Sequence, residues 1–255
     1  MSHQIVSLIT GAAQGIGAAT AKRLALAGHN LALHYHSNTE KAQQTANECE
    51  KLGATVMLLQ GDISHPEDCQ QIVASAVEKF GQIDLLVNNA GFGGFNKTHI
   101  NDLESLSLDT FAQIFNTNVL GALAMSQSAS VTMKQRGRGV IINISSTAGI
   151  SGMTNTSIIY AASKGALNTL TLSLARILAP TIRVNAVCPG FVDSTWWEKC
   201  YSDPTEKNKF VQEVSKQSLL GKAVTPEDIA NAVAFVFENP SINGELLKID
   251  CGGRL

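Results

Sequence analysis

The chain has no long apolar run. Its apolar stretches fall far short of the roughly 18 residues that a helix needs to cross a bilayer, so no membrane span is expected in its 255 residues. A basic cluster is missing from the start, MSHQIVSLIT, whose short apolar run leads straight to Gly11. That start reads as a buried first strand rather than a secretion signal. Charge of one sign is missing too: 19 Lys and Arg stand against 21 Asp and Glu, a formal net charge of -2. This balance lacks the basic footprint of a nucleic-acid binder. The five cysteines (Cys49, Cys69, Cys188, Cys200, Cys251) are odd in number, scattered and without a CxxC pair. A disulfide framework or zinc site is therefore not expected, and reduced thiols in the cytoplasm are. The six histidines show no ligand spacing, so no metal is expected. There is no GxSxG elbow, no GxxxxGK[ST] loop and no HExxH pair.

What is present is globular: 44% hydrophobic and 16% charged residues, against the apolar-poor composition of disordered chains. Short apolar runs at Ile5–Ile9, Asn30–His34, Thr55–Gln60, Ile83–Asn88, Val140–Ile144, Arg183–Val187 and Leu246–Asp250 are candidate strands. Several are apolar at nearly every position, as in strands covered on both faces. Between them lie segments of helical period, such as Pro66–Phe80 and Pro226–Phe237. Strand and helix in alternation predict an α/β fold: a single doubly wound domain over residues 1–255, with a parallel sheet, right-handed crossovers and helices on both faces. Two stretches resist simple alternation. Residues 101–136 are long enough for a short helix and a long one. Residues 191–221 carry Trp196, Trp197, Tyr201 and Phe210 and are placed to cover a ligand beyond the strand ends.

The first strand runs into Thr10-Gly11-Ala12-Ala13-Gln14-Gly15-Ile16-Gly17 and then a helical segment. Gly11 suits a tight strand-to-helix turn, Gly15 the close approach of a pyrophosphate, and Gly17 close helix–strand packing. The helix N-terminus offers free N–H groups and a positive dipole end to phosphates. This is a dinucleotide loop with GxxxGxG spacing, and Gln14 and Ile16 lie within it. An NAD site usually has a carboxylate at the end of the second strand for the ribose 2′-OH. Here that end reads His34-Tyr35-His36-Ser37-Asn38, with no acid before Glu40. His36 and Ser37 are candidates to meet a 2′-phosphate, which favours NADPH over NADH. Asp62, with Ile63 beside it, is a candidate partner of the adenine ring.

Asn88-Asn89-Ala90-Gly91 ends the fourth strand and Asn143-Ile144-Ser145-Ser146 the fifth. Further on, Tyr160 and Lys164 stand four apart, on one helix face. With TGAAQGIG at 10–17, NNAG at 88–91, NTNVLG at 116–121, NISSTAG at 143–149, YAASK at 160–164 and NAVCPGFVDS at 185–194, the chain resembles the short-chain dehydrogenase/reductase family. Its form is most like the 3-oxoacyl-carrier-protein-reductase branch. The resemblance covers essentially the whole chain. It implies seven parallel strands in the order 3-2-1-4-5-6-7. It implies an oxidoreductase that moves a hydride between NAD(P) and a carbonyl or secondary alcohol, and a homotetramer with the helices at 107–136 and 157–178 as interfaces. It also implies a tetrad of Asn118, Ser146, Tyr160 and Lys164. Tyr160 is the acid/base. Lys164 lowers its pKa and binds the nicotinamide ribose, Ser146 orients the substrate oxygen, and Asn118 holds a water that relays protons. Asn89, Ala90 and Gly91 would line the cofactor, Pro189 and Gly190 would begin the segment over it, and Val192 and Ser194 would meet the nicotinamide amide.

The types suit the task. A proton donor must meet the oxygen that gains charge as hydride arrives, and a neighbouring ammonium favours the phenolate of a tyrosine. Alternatives stay open. Ser145 or Thr147 is a rival hydroxyl, because the stretch from Ser146 to Tyr160 is one residue longer than the family's. Asn116 is a rival to Asn118. Gln14 stands where NADP-preferring members often have a basic residue, so an NAD-preferring alcohol dehydrogenase is an alternative. A non-catalytic dinucleotide sensor on the same fold is another. Cys251, before the final Gly pair, reads as a small buried apolar residue.

Overall fold

The computed structural model describes residues 4–93, 106–152, 158–196 and 203–253. Seven strands form one parallel sheet: β1 (Val6–Ile9), β2 (Asn30–Tyr35), β3 (Val56–Gln60), β4 (Leu85–Asn88), β5 (Gly139–Ile144), β6 (Ile182–Pro189) and β7 (Leu246–Ile249). Their order is β3-β2-β1-β4-β5-β6-β7, every neighbouring pair parallel. This is the expected doubly wound sheet.

Successive residues of a strand point to opposite faces, and here both faces are covered. In β2, Leu31 and Leu33 enter one core while Ala32 enters the other. In β4, Leu85 and Val87 face the first core and Leu86 the second. The first core is closed by α1 (Gly15–Leu26), α2 (Thr39–Lys51) and α9 (Pro226–Glu238), through Leu24, Cys49, Ile229 and Val233. The second is closed by α3 (Pro66–Phe80), α5 (Ala122–Gln135) and α7 (Ile158–Leu178), through Ile72, Ala76, Met125, Met133 and Ala175. Helix starts carry their own signals. Asn38 accepts from the Lys41 N–H at 3.0 Å to cap α2, and Thr225 with Asp228 forms a capping box on α9.

The two irregular stretches resolve differently. From Leu108 the chain forms α4 (Leu108–Phe115), a π-helical turn (Asn116–Gly121), and then α5 without a break. Between 191 and 221, Val192 makes a parallel bridge with Val224, and Pro204–Gln217 form α8, begun by Asp203 as cap and Pro204 in the first turn. A further helix, α6, is a single turn at Ala148–Ser151. No helix among the described residues is long and apolar enough to cross a membrane.

Candidate active site

The glycine loop is held by its neighbours. Thr10 Oγ1 accepts from the N–H groups of Asn89 (2.9 Å) and Ala90 (3.0 Å). Asn89 Nδ2 donates back to the carbonyls of Thr10 (2.9 Å) and Gly11 (3.0 Å). Gly11 and Gly15 sit at φ of 65° and 57°, a region costly for other residues. A Cβ on Gly17 would stand 2.3 Å from the Gly11 carbonyl oxygen. The loop therefore turns tightly and lets α1 start against its own turn.

Buried His34 adds a further tie. Its Nδ1 accepts from the Gly11 N–H at 3.2 Å and its Nε2 lies 3.1 Å from the Gly61 carbonyl. Those partners require the proton on Nε2. Burial holds its pKa below the usual value, so the ring is a neutral strut.

The start of α1 is open to an anion. It has no side-chain cap and no acid in its first turn, which leaves its leading N–H groups to a ligand. Thr195 Oγ1 lies over it, 3.7 Å from where a Gly15 Cβ would be. That oxygen is buried and has no hydrogen-bond partner among the described residues. A free helix start, close backbone and an orphaned hydroxyl together fit a dinucleotide pyrophosphate.

At the far end of β2, His36 and Ser37 are exposed. His36 Nε2 lies 3.7 Å, and His65 Nδ1 3.8 Å, from the same Asp62 oxygen. Burial raises the Asp62 pKa, but hydrogen bonds from Ser64 and the two imidazoles outweigh it, leaving the carboxyl below its usual range.

Across the sheet, three successive hydroxyl residues follow β5, and Ser145 and Ser146 have different partners. Ser145 is buried and donates to the Lys164 carbonyl at 3.2 Å. Thr147 is buried, with its N–H on the Pro189 carbonyl at 2.9 Å. Ser146 accepts from the Ala148 N–H at 3.1 Å and hydrogen-bonds Tyr160. From the same helix as Tyr160, Lys164 Nζ donates to the Ile144 carbonyl at 2.8 Å and lies 5.6 Å from the Tyr160 ring centroid. Burial pushes the Tyr160 pKa up to about 12, against the pull of the Ser146 bond. Burial also draws Lys164 down to about 8. Both groups thus resist charge, each in its own direction.

Buried Asn118 sits in the π-helical turn behind this pair. Its Oδ1 accepts from the Phe92 N–H (2.7 Å), and its Nδ2 donates to the Phe92 carbonyl (3.0 Å) and to Ser163 Oγ (3.0 Å). Gly91 lies between, its Cβ position 3.4 Å from Asn118 Oδ1 and 3.7 Å from Lys164 Nζ.

Residues 11–253 match the model of a family described as enoyl-(acyl carrier protein) reductase. The chain is a short-chain dehydrogenase/reductase. It is 34% identical over 252 residues, 98% of this chain and 97% of the relative, to an uncharacterized oxidoreductase of Methylorubrum extorquens. To a 3-oxoacyl-[acyl-carrier-protein] reductase of Staphylococcus aureus it is 32% identical, covering 96% of each chain. A solved structure assigned to this family, from Burkholderia xenovorans, superposes with a TM-score of 0.89 at 32% identity over 99% of both chains. The protein is therefore an NAD(P)-dependent oxidoreductase.

In this short-chain dehydrogenase/reductase, Ser146, Tyr160 and Lys164 come together, with Asn118 one layer behind. Asn116 is exposed. Some of the expected cofactor residues have side chains that turn inward. Ile63 and Val192 are buried in the two cores, Ile16 packs against the first core, and Ala90 packs against the second. Ser194 Oγ accepts from the Trp196 N–H at 3.3 Å, and Gly190 is fixed by its N–H on the Ile249 carbonyl at 2.9 Å.

Of the aromatics expected to cover the site, the Trp196 ring lies 6.4 Å from the Tyr160 ring, while Phe210 packs edge-on to Phe191 at 5.3 Å. Trp197 and Tyr201 fall outside the described residues. Sequence reading passed over Thr10, His34, Ser163 and Thr195. Ser163 lies inside YAASK, three residues from Tyr160, so its place on the inner face was available from helical spacing. For the others no sequence signal marks the partner.

Proposed function

We propose that the enzyme is an NADPH-dependent carbonyl reductase, reversible as a secondary-alcohol dehydrogenase, with 3-oxoacyl compounds among its substrates. The observation that carries this reading is the convergence of Ser146 and Lys164 on Tyr160 beside the glycine cradle. The nicotinamide, when bound, gives or takes the hydride. Tyr160 keeps its proton at neutral pH, since its pKa stands near 12, and gives it to the substrate oxygen. Ser146 donates to the same oxygen and orients it. Lys164 positions the ribose and, when charged, favours the phenolate that the oxidising direction needs. Asn118 serves proton refill through its backbone, because its side chain is spent on Phe92 and Ser163.

The absence of a carboxylate between His34 and Asn38 supports NADPH. The 3-oxoacyl class rests on likeness to the Staphylococcus aureus reductase. A homotetramer is supported by exposed Leu108, Phe111, Leu120, Val131, Ile158, Leu172 and Ile177, all on the 107–136 and 157–178 stretches. Sedimentation as a monomer at micromolar concentration would remove that part.

The test is Tyr160→Phe. It should fold, bind NADPH as wild type does in a fluorescence titration, and lose turnover of a 3-oxoacyl thioester by a factor of about a thousand or more. Turnover at the wild-type rate would end the assignment.

A further inference from the structure

Ser146, Tyr160 and Lys164 meet at the carboxyl end of the sheet, where the chain leaves β4, β5 and β6. Among the described residues these exits are 89–93, 145–152 and 190–196. They hold one charged residue, Asp193, and its carboxylate lies 3.6 Å from Lys207 Nζ of α8. Each exit carries a large apolar side chain with an open face. Phe92 and Ile150 are exposed, and Trp196 is half-buried. Their backbones are fixed. Asn118 holds Phe92 at 2.7 and 3.0 Å, the Ile150 N–H lies on the Thr147 carbonyl at 3.0 Å, and the Trp196 N–H lies on Ser194 Oγ at 3.3 Å. Trp196 is also set against the proton donor. Its ring centroid lies 6.4 Å from that of Tyr160, with the planes tilted by 53°. A substrate whose oxygen meets the Tyr160 hydroxyl must fit the groups on its carbonyl carbon into the space that this indole borders. An indole offers a flat π-face, and a flat ring is the partner that gains most from it. A carboxylate or phosphate there would be withdrawn from water beside exits that bring no free cation.

We propose that Trp196 is a specificity-determining residue that selects neutral ketones bearing a planar aryl group on the carbonyl carbon. This rests on the carbonyl-reductase reading given above and names a substrate class for the same site. The carbonyl carbon gains a hydride and its oxygen gains the Tyr160 proton, while NADPH is oxidised to NADP+. Trp196 takes no part in that transfer. It pairs with the aryl ring, which a saturated ring of like size cannot match. A 3-oxoacyl thioester whose third carbon bears the ring meets the same requirement.

The experiment follows the loss of NADPH absorbance with the full chain, for wild type, Trp196→Leu and Trp196→Phe. The probes are acetophenone and acetylcyclohexane, which differ in the flatness and π-face of the ring. The two ketones differ in reactivity, so the readout is the aryl-to-cyclohexyl ratio of kcat/KM relative to wild type. The expected result is that Trp196→Leu lowers this ratio about three- to tenfold, chiefly through the KM for acetophenone. Trp196→Phe should keep the ratio within about twofold. Trp196→Met, which also lacks a π-face, takes the place of the leucine variant if that variant does not fold. Methyl benzoylformate should be turned over about tenfold better than benzoylformate, which carries a carboxylate. An unchanged ratio in Trp196→Leu, including equal loss of both ketones, would make Trp196 a support of Tyr160 and overturn the proposal, with the reductase reading left standing. Preference for benzoylformate over its ester would overturn it too. Turnover of a 3-oxoacyl thioester but of neither ketone would overturn the proposal alone. Turnover of none of these carbonyls would bring down the reductase reading itself.

Discussion

Asn118 grips the backbone of Phe92 on both sides: its Oδ1 accepts the Phe92 N–H at 2.7 Å and its Nδ2 donates to the Phe92 carbonyl at 3.0 Å. The side chain of Asn118, a residue expected to hold a water, is a clamp between the π-helical turn and the segment that follows β4. Asn118→Ala would leave both Phe92 groups without this partner, at a cost of about 1–3 kcal/mol. Thermal melting should show a lower Tm even without cofactor. An unchanged Tm would mean that Phe92 is held by something else.

Ser145 and Ser146 are neighbours with opposite duties. Ser146→Ala removes the hydroxyl beside Tyr160 and should lower kcat/KM by about 10²–10³, with little change in Tm. Ser145→Ala removes a buried bond to the Lys164 carbonyl and should cost about 1 kcal/mol of stability, with turnover reduced only a few-fold. Kinetics and melting of the two variants side by side check the assignment. The reverse pattern would make Ser145 the substrate hydroxyl.

The orphaned hydroxyl of Thr195 makes a two-part prediction. Thr195→Val keeps the shape and removes a buried oxygen that has no partner among the described residues. Without cofactor the variant should be as stable as wild type or more so, because an unsatisfied polar group is gone. Its NADPH affinity should fall by about five- to tenfold, the loss of one hydrogen bond. Melting curves and titration together decide it. An unchanged affinity would place the pyrophosphate away from Thr195.

Gly17 has no room for a methyl group. A Cβ there would stand 2.3 Å from the Gly11 carbonyl oxygen and 2.6 Å from Asn89 Nδ2. Gly17→Ala should cost about 1–3 kcal/mol by overpacking and sharply weaken NADPH binding, since the loop must move. A variant with wild-type Tm and affinity would show a looser loop than the one described.

Lys164 gives a pH signature. Its folded-state pKa, about 8, lies below the 10.5 of an unburied lysine. Between those values the unfolded chain holds more protons, so stability rises with pH across the window. Relative to Lys164→Met, wild type should therefore gain Tm steadily from about pH 8 towards pH 10.5. Parallel melting curves for the two proteins over that range would mean that Lys164 is not withdrawn from water.

The sheet was legible in the sequence because its strands are buried on both faces. Runs such as Leu85-Leu86-Val87 supply both cores at once, and a few turn residues punctuate them. The glycine loop was legible for a related reason: a tight turn and a close approach admit one residue type, so Gly11, Gly15 and Gly17 carry their geometry in their identity. Tyr160 and Lys164 were legible because four residues make one helical turn.

Only the tertiary structure decided the rest, because it depends on which distant groups meet. Three adjacent hydroxyls at 145–147 are alike in sequence, but Ser145 turns to the Lys164 carbonyl while Ser146 meets Tyr160. Ile63 and Val192 stand next to the expected site in sequence but turn into the cores. Asn118 and Phe92 are 26 residues apart, and Lys41 and Gln14, also joined by a hydrogen bond, are 27 apart. No local propensity encodes such pairs. They arise when parallel strands and crossover helices bring their ends to one edge of the sheet, where buried polar groups must find partners or leave a place for a ligand.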